Sequence, residues 1–184
     1  VVIGGGVAGE HAAANAIGLG AQVTVLDVNL ARLRELEHRY GNALQTGAST
    51  RYAIAEALQS ADLVIGSVLI PGAAAPKLVT DDMVAGMKPG SLLVDIAIDQ
   101  GGCFEGSHAT THDAPTFAVH DALYYCVANM PGAVPETSTR ALTNATLPYV
   151  AALADRGWDA AAAADPSLAK GLNVRGGEVV NAGV

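Results

Sequence analysis

Val1-Val2-Ile3-Gly4-Gly5-Gly6-Val7-Ala8-Gly9 decides the fold: three apolar strand-formers, a glycine turn, then small residues that open a helix. Gly4, Gly6 and Gly9 stand at the spacing G-x-G-x-x-G. In that pattern the first glycine makes a tight turn, the second lets backbone approach a pyrophosphate, and the third lets helix pack on strand, with the phosphates at the positive helix end near Val7 and Ala8. Alone, such a turn fits any parallel α/β protein. The next residues narrow it. Ala12, Ala13, Ala16 and Ile17 continue a helical face of small residues, Gly20 ends it, and Gln22-Val23-Thr24-Val25-Leu26-Asp27 is a second strand closing on an acid. Asp27 lies 18 residues beyond Gly9, near the roughly 20 expected for the carboxylate that grips an adenosine ribose. The order strand, glycine turn, helix, strand, acid predicts a Rossmann-type α/β fold, a doubly wound parallel sheet in three α/β/α layers that binds a dinucleotide.

A chain of 184 residues is long enough for one substantial core and short for two. We therefore expect a nucleotide-binding domain over 1–155 and a C-terminal segment over 156–184. With 51% hydrophobic and only 15% charged residues the chain is globular, and the scarcity of aromatics suits helices packed closely on a sheet covered on both faces. A net charge of −8 with no basic run argues against nucleic acid and anionic membranes as partners. Cys103 and Cys126 form no C-x-x-C and have no histidine at ligand spacing, so no metal site or disulfide framework is expected and the thiols fit a reducing cytoplasm. There is no apolar run of 18 residues and no signal-like start. Only Val1 to Ile3 precede the turn, where a strand usually runs about five or six residues, so more chain is expected upstream.

Further along, Asn29 caps a helix with Leu33, Leu36 and Tyr40 inward. Arg32, just past the ribose acid, lies either over the adenosine or in solvent as an ordinary helix charge. Asp27 repels the 2′-phosphate of NADP, which favours NAD, while Arg32 keeps the other choice open. Ala43 to Ala48 is weakly strand-like, and Ser49 or Thr50 caps the next helix. Asp62 to Leu69 is an apolar run, so Ser67, Val68 and Leu69 border the crevice at the strand's carboxyl end. Ser91 to Ile98 is expected as one strand, with Asp99 roughly 13 Å beyond Asp95 at the mouth and Asp95 structural. A loop from Gly101 to Pro115 carries Cys103, Glu105, His108 and His112; loops of this length tend to be functional. Short strands flank His120-Asp121. Asn129 stands at the last strand's carboxyl end, either a turn residue or an amide for the nicotinamide. Pro135 starts a long helix, kinked at Pro148, with Leu142, Tyr149, Val150 and Leu153 inward.

With these residues set out, the chain resembles the L-alanine dehydrogenase family over its cofactor domain and part of the return segment. The resemblance rests on Gly4 to Gly9, Val25-Leu26-Asp27-Val28-Asn29, Met87-Lys88-Pro89-Gly90, and Val127-Ala128-Asn129-Met130-Pro131-Gly132-Ala133-Val134-Pro135. The most specific stretch is Asp95-Ile96-Ala97-Ile98-Asp99-Gln100-Gly101-Gly102-Cys103-Phe104-Glu105. It implies reversible oxidative deamination of L-alanine to pyruvate and ammonia with NAD, by a homo-oligomer, typically a hexamer. It also implies Asp99 as the catalytic acid/base, Asp27 as the ribose acid, and Arg32, Ser49, Val68 and Leu69 at cofactor-contacting positions. Ile96, Ala97, Ile98 and Asp99, with Val127, Ala128, Asn129 and Met130, line the nicotinamide side. His108, at a loop position where relatives can carry Arg, is placed with the cofactor-binding residues.

The family's catalytic histidine and the Arg and Lys that hold the substrate carboxylate belong to an N-terminal substrate domain, so this stretch alone is expected to be inactive. Hydride transfer needs that second wall to hold the amino acid. The competing readings are the cofactor domain of a proton-translocating transhydrogenase or a saccharopine-type dehydrogenase, and a non-catalytic NAD-binding module.

Overall fold

Runs of Val, Ile and Leu without polar alternation make strands buried on both faces, and such strands pair in parallel. In the computed structural model, which describes residues 1–68 and 75–181, one sheet has the order β3-β2-β1-β4-β5-β7-β6. The strands are β1 (Val2–Ile3), β2 (Val23–Asp27), β3 (Leu44–Ala48), β4 (Leu63–Gly66), β5 (Leu92–Asp95), β6 (Thr116–Val119) and β7 (Ala122–Tyr125). Every pair is parallel except the β6–β7 hairpin, turned at His120-Asp121 with His120 at φ 51°. The expected Rossmann-type architecture is therefore present, with one antiparallel edge.

Helices α1 (Val7–Gly18), α2 (Leu30–Tyr40), α3 (Arg51–Ser60) and α4 (Asp81–Ala85) alternate with the strands. Because neighbouring strand residues point to opposite faces, Val2 and Val25 join Ala13, Leu33 and Leu36 on one side. Ile3 and Leu26 join Ile54, Leu58, Leu93 and Phe104 on the other. The Asn29 side chain accepts from the N–H groups of Ala31 and Arg32, and Thr50, one of the two residues expected there, caps α3 through the N–H of Ala53. Each cap satisfies helix N–H groups that have no partner within the helix.

Two expectations need correction. The strand read as Ser91 to Ile98 stops at Asp95, and Ile96–Gln100 is a 3-10 helix. Its rise of about 2.0 Å per residue places Asp99 roughly 8 Å beyond Asp95 instead of 13. The cause is Asp95, whose side chain caps the turn by accepting from the Ala97 N–H at 3.1 Å and draws the chain off the sheet.

The chain divides into two compact units, Val1–Asn129 and Met130–Val184. The second holds a 3-10 turn (Met130–Ala133), α5 (Pro135–Ala164), α6 (Pro166–Lys170) and a hairpin of β8 (Val174–Arg175) and β9 (Glu178–Val179). Residue 155 falls inside α5, two residues before Gly157, whose φ of 71° and ψ of 171° break the helix; Pro148 sits within its helical part. Within this unit the apolar face expected to point inward is left largely uncovered. Leu142, Tyr149 and Val150 are exposed and Leu153 is half-buried. Periodicity shows that a helix has an apolar face, and is silent on what covers it.

Candidate functional site

Three glycines make the turn possible, each for a separate reason. Gly4 has φ +100°, and a Cβ there would lie 2.9 Å from the Ser67 backbone. A Cβ on Gly9 would meet the Gly4 carbonyl oxygen at 1.9 Å, so only glycine lets α1 rest on β1. A Cβ on Gly6 would meet nothing within 4 Å and would project into open space. That space lies over the first turn of α1, where Gly6, Val7 and Ala8 are exposed and no side chain caps the helix. Uncapped N–H groups at a positive helix end, beside a residue lacking Cβ, suit a pyrophosphate. The tight turn expected at Gly4 and the close helix packing expected at Gly9 thus have geometric counterparts, and Gly6 faces open space. Ser67, at the end of β4, donates to the Gly4 carbonyl at 2.7 Å and ties the turn across the point where strand order reverses.

Asp27 closes β2 at the same edge. Its Oδ2 accepts from the Gly5 N–H at 2.6 Å and its Oδ1 from the Asn29 N–H at 2.8 Å. These bonds fix the carboxylate beside the glycine turn. Ser49 follows β3 and donates its N–H to the Asp27 carbonyl at 3.0 Å. Arg32 takes a third course, neither free over the nucleotide nor loose in solvent: its Nε donates to the Gly5 carbonyl at 2.7 Å, and its remaining nitrogens engage Glu10 and Glu35.

The other half of the edge is built around Asp95, a fully buried carboxylate. It accepts from the N–H groups of Cys103 (2.9 Å) and Phe104 (3.3 Å) and from the Ser107 hydroxyl (2.6 Å). Asp95 therefore folds the loop back against the sheet. Lys77 holds the same loop from outside, donating to the carbonyls of Gly101 (2.6 Å) and Phe104 (3.0 Å). Within this frame Asp99 is exposed, Ile96 is half-buried, and Ala97 and Ile98 are buried.

Val68 is half-buried against Gly4, while Leu69 lies outside the described residues. Val127 is buried, Ala128 is exposed and donates to the Thr110 carbonyl, and Asn129 is exposed at φ 55°. Met130 begins the second unit. His108 stacks on Phe117 with ring centroids 3.8 Å apart. Among the described residues no three His, Cys, Asp or Glu side chains group as metal ligands, and no helix is long and apolar enough to cross a membrane.

Both thiols are buried. Desolvation pushes the Cys126 thiol up to about 11, and desolvation together with Asp95 raises Cys103 further still. Neither is set up as a nucleophile. A hollow of about 820 Å³ opens at the opposite, amino ends of the strands beside Gln22, Gln45 and Asp62. Neither the uncapped start of α1 nor Asp27 lines it. The glycine turn and Asp27 stand instead at the carboxyl edge, at the switch point where open α/β sheets bind their ligands.

Residues 1–182 match the family described as Alanine dehydrogenase/PNT, C-terminal domain. The chain belongs to this family. Within the alanine dehydrogenase/PNT family it is 60% identical to an alanine dehydrogenase of Mycolicibacterium smegmatis over all 184 residues, which are 50% of that protein. It is 61% identical to that of Halomonas elongata over 178 residues, 97% of this chain and 48% of the relative. The chain thus spans about half the length of the curated relatives it matches. A solved L-alanine dehydrogenase superposes with TM-score 0.90 at 49% identity over 98% of this chain and 50% of its own. A transhydrogenase from Sinorhizobium meliloti gives 0.79 at 29%, covering 100% of this chain and 49% of its own. The dehydrogenase branch is the nearer of the two, as the Asp95 to Glu105 stretch implies.

Motif reading overlooked Glu10, Lys77, Ser107 and the Gly5 N–H. The usable signal was present for Glu10 alone: an acid in the first turn of α1, opposite Arg32 and Arg39 spaced seven apart on α2.

Proposed function

We propose that this chain is the NAD-binding half of an L-alanine dehydrogenase, which interconverts L-alanine, water and NAD with pyruvate, ammonia, NADH and a proton in the cytoplasm as a homo-oligomer. The observation that carries the reading is the pairing, on one sheet edge, of an uncapped helix start over Gly6 with a backbone-held carboxylate at Asp27. The first accepts the pyrophosphate and the second the adenosine ribose hydroxyls. The neighbouring strands then direct the other end of the dinucleotide along β4 and β5 toward Asp99. When bound, NAD accepts a hydride from the amino-acid Cα.

Asp99 is the proton-handling residue in this reading. Removal of hydride from alanine leaves an iminium, which water attacks; Asp99 takes the proton of that water and returns it as ammonia leaves. Asp95 and Lys77 act indirectly, by holding the loop that follows Asp99. Ser49, Val68, Val127, Ala128 and Asn129 would form the walls at the two ends of the cofactor.

In the full-length protein, Asp99→Asn should lower alanine-dependent NADH formation by at least about a thousandfold, within the range of general acid–base catalysis, while NADH affinity falls far less. Normal turnover by that variant would remove Asp99 from the mechanism.

A further inference from the structure

Glu10 stands in the first turn of α1 and gathers the basic residues of α2. Arg32 donates to its Oε2, Arg39 to its Oε1, and the Tyr40 hydroxyl to Oε1 at 3.1 Å. Arg32 is also held by the Gly5 carbonyl (2.7 Å) and Glu35 (2.9 Å), so Nε, Nη1 and Nη2 are all engaged. The Glu10–Arg32 pair is well covered, with side-chain exposure of 12% and 22%, while Arg39 reaches it from the exposed side at 61%. Arg32, then Arg39 and Tyr40, hold the Glu10 carboxyl below the usual carboxylate range against opposing desolvation.

An arginine just past the second strand is the group that accommodates the 2′-phosphate of NADP, because its planar fork matches phosphate oxygens. Here Arg32 stands five residues past Asp27, with every nitrogen already committed. We propose that Glu10 is a specificity-determining residue: it withholds Arg32 from the adenosine ribose, so that a 2′-phosphate meets Asp27 with that guanidinium engaged elsewhere. Coenzyme choice is then set by two acids, Asp27 by repulsion and Glu10 by sequestration. This rests on the reading that the dinucleotide's adenosine lies beside Asp27.

The test measures dissociation constants for NADH and NADPH by calorimetry on the full-length protein, its Asp27→Ser and Glu10→Gln variants, and the double variant. Adding Glu10→Gln to Asp27→Ser should shift the ratio of the two constants roughly tenfold toward NADPH, the scale of one charge-assisted contact. Adding Arg32→Leu should cancel that shift. A purely structural Glu10 would weaken both nucleotides alike and leave the ratio unchanged, which overturns the proposal. Should Glu10→Gln not fold, Glu10→Asp carries the same expectation at smaller size. A wild-type protein that binds neither nucleotide would overturn the cofactor reading and this inference with it; an unchanged ratio in a protein that binds NADH overturns the inference alone.

Discussion

At the scale of single residues, the glycines separate stability from binding. Gly9 has no room for a methyl group, since its Cβ would lie 1.9 Å from a backbone oxygen, whereas Gly6 has nothing nearby. Gly9→Ala should therefore destabilise the fold by more than about 3 kcal/mol, beyond ordinary overpacking, read as a drop in the urea midpoint. Gly6→Ala should leave that midpoint within about 1 kcal/mol and weaken NADH, because the methyl enters the space assigned to pyrophosphate. Equal loss of stability in both would show that the open space over α1 is not there. Asp27→Ala removes the acceptor for two backbone N–H groups and the ribose; NADH affinity should fall at least about tenfold by calorimetry, the worth of one hydrogen bond to a charged group.

Among the elements, the one between Asp95 and Glu105 has most to lose. Asp95 is fully buried and accepts from the backbone of Ala97, Cys103 and Phe104 and from Ser107. Asp95→Asn replaces an all-acceptor group by one with an NH2 facing donors, and should cost about 3 kcal/mol in urea unfolding. A cost below about 1 kcal/mol would mean the loop does not depend on it.

The same element shows what the chain's pattern conveys and what it hides. The apolar run Leu92-Leu93-Val94 marks a strand, and the tight turn at Gly4, the close approach at Gly9 and the acid closing β2 at Asp27 follow from spacing, because each is local. The turn after Asp95 joins the cap on Ala97 to contacts eight to twelve residues away, at Cys103, Phe104 and Ser107, which no period of two or 3.6 reports. The exposure of Leu142 and Val150 on α5 was hidden for a related reason: amphipathicity defines a face and leaves its partner unspecified. The engagement of Arg32 by Gly5 and Glu10 depends on how α1 and α2 meet, again a tertiary matter.

For the molecule as a whole, buried acids that ionise only with difficulty set the alkaline limit of stability. Desolvation raises Cys126 from 9.0 to about 11 and raises Cys103 and Tyr124 beyond that. Above pH 9.0 an unfolded thiol loses its proton while the folded one keeps it, so the unfolded state binds fewer protons and stability falls as pH rises. The urea midpoint should decline from about pH 9 to about pH 11, and Cys126→Ala should flatten that decline; an unchanged slope would place the loss elsewhere.

The most direct measurement of the central claim is a crystal structure of the protein with NADH bound. The predicted result has pyrophosphate over Gly6, the adenosine ribose on Asp27 and the nicotinamide ring beside Asp99, along the carboxyl ends of β2, β1, β4 and β5. A nucleotide seated in the hollow beside Gln22, Gln45 and Asp62, or running with its adenosine at Asp99, would contradict it.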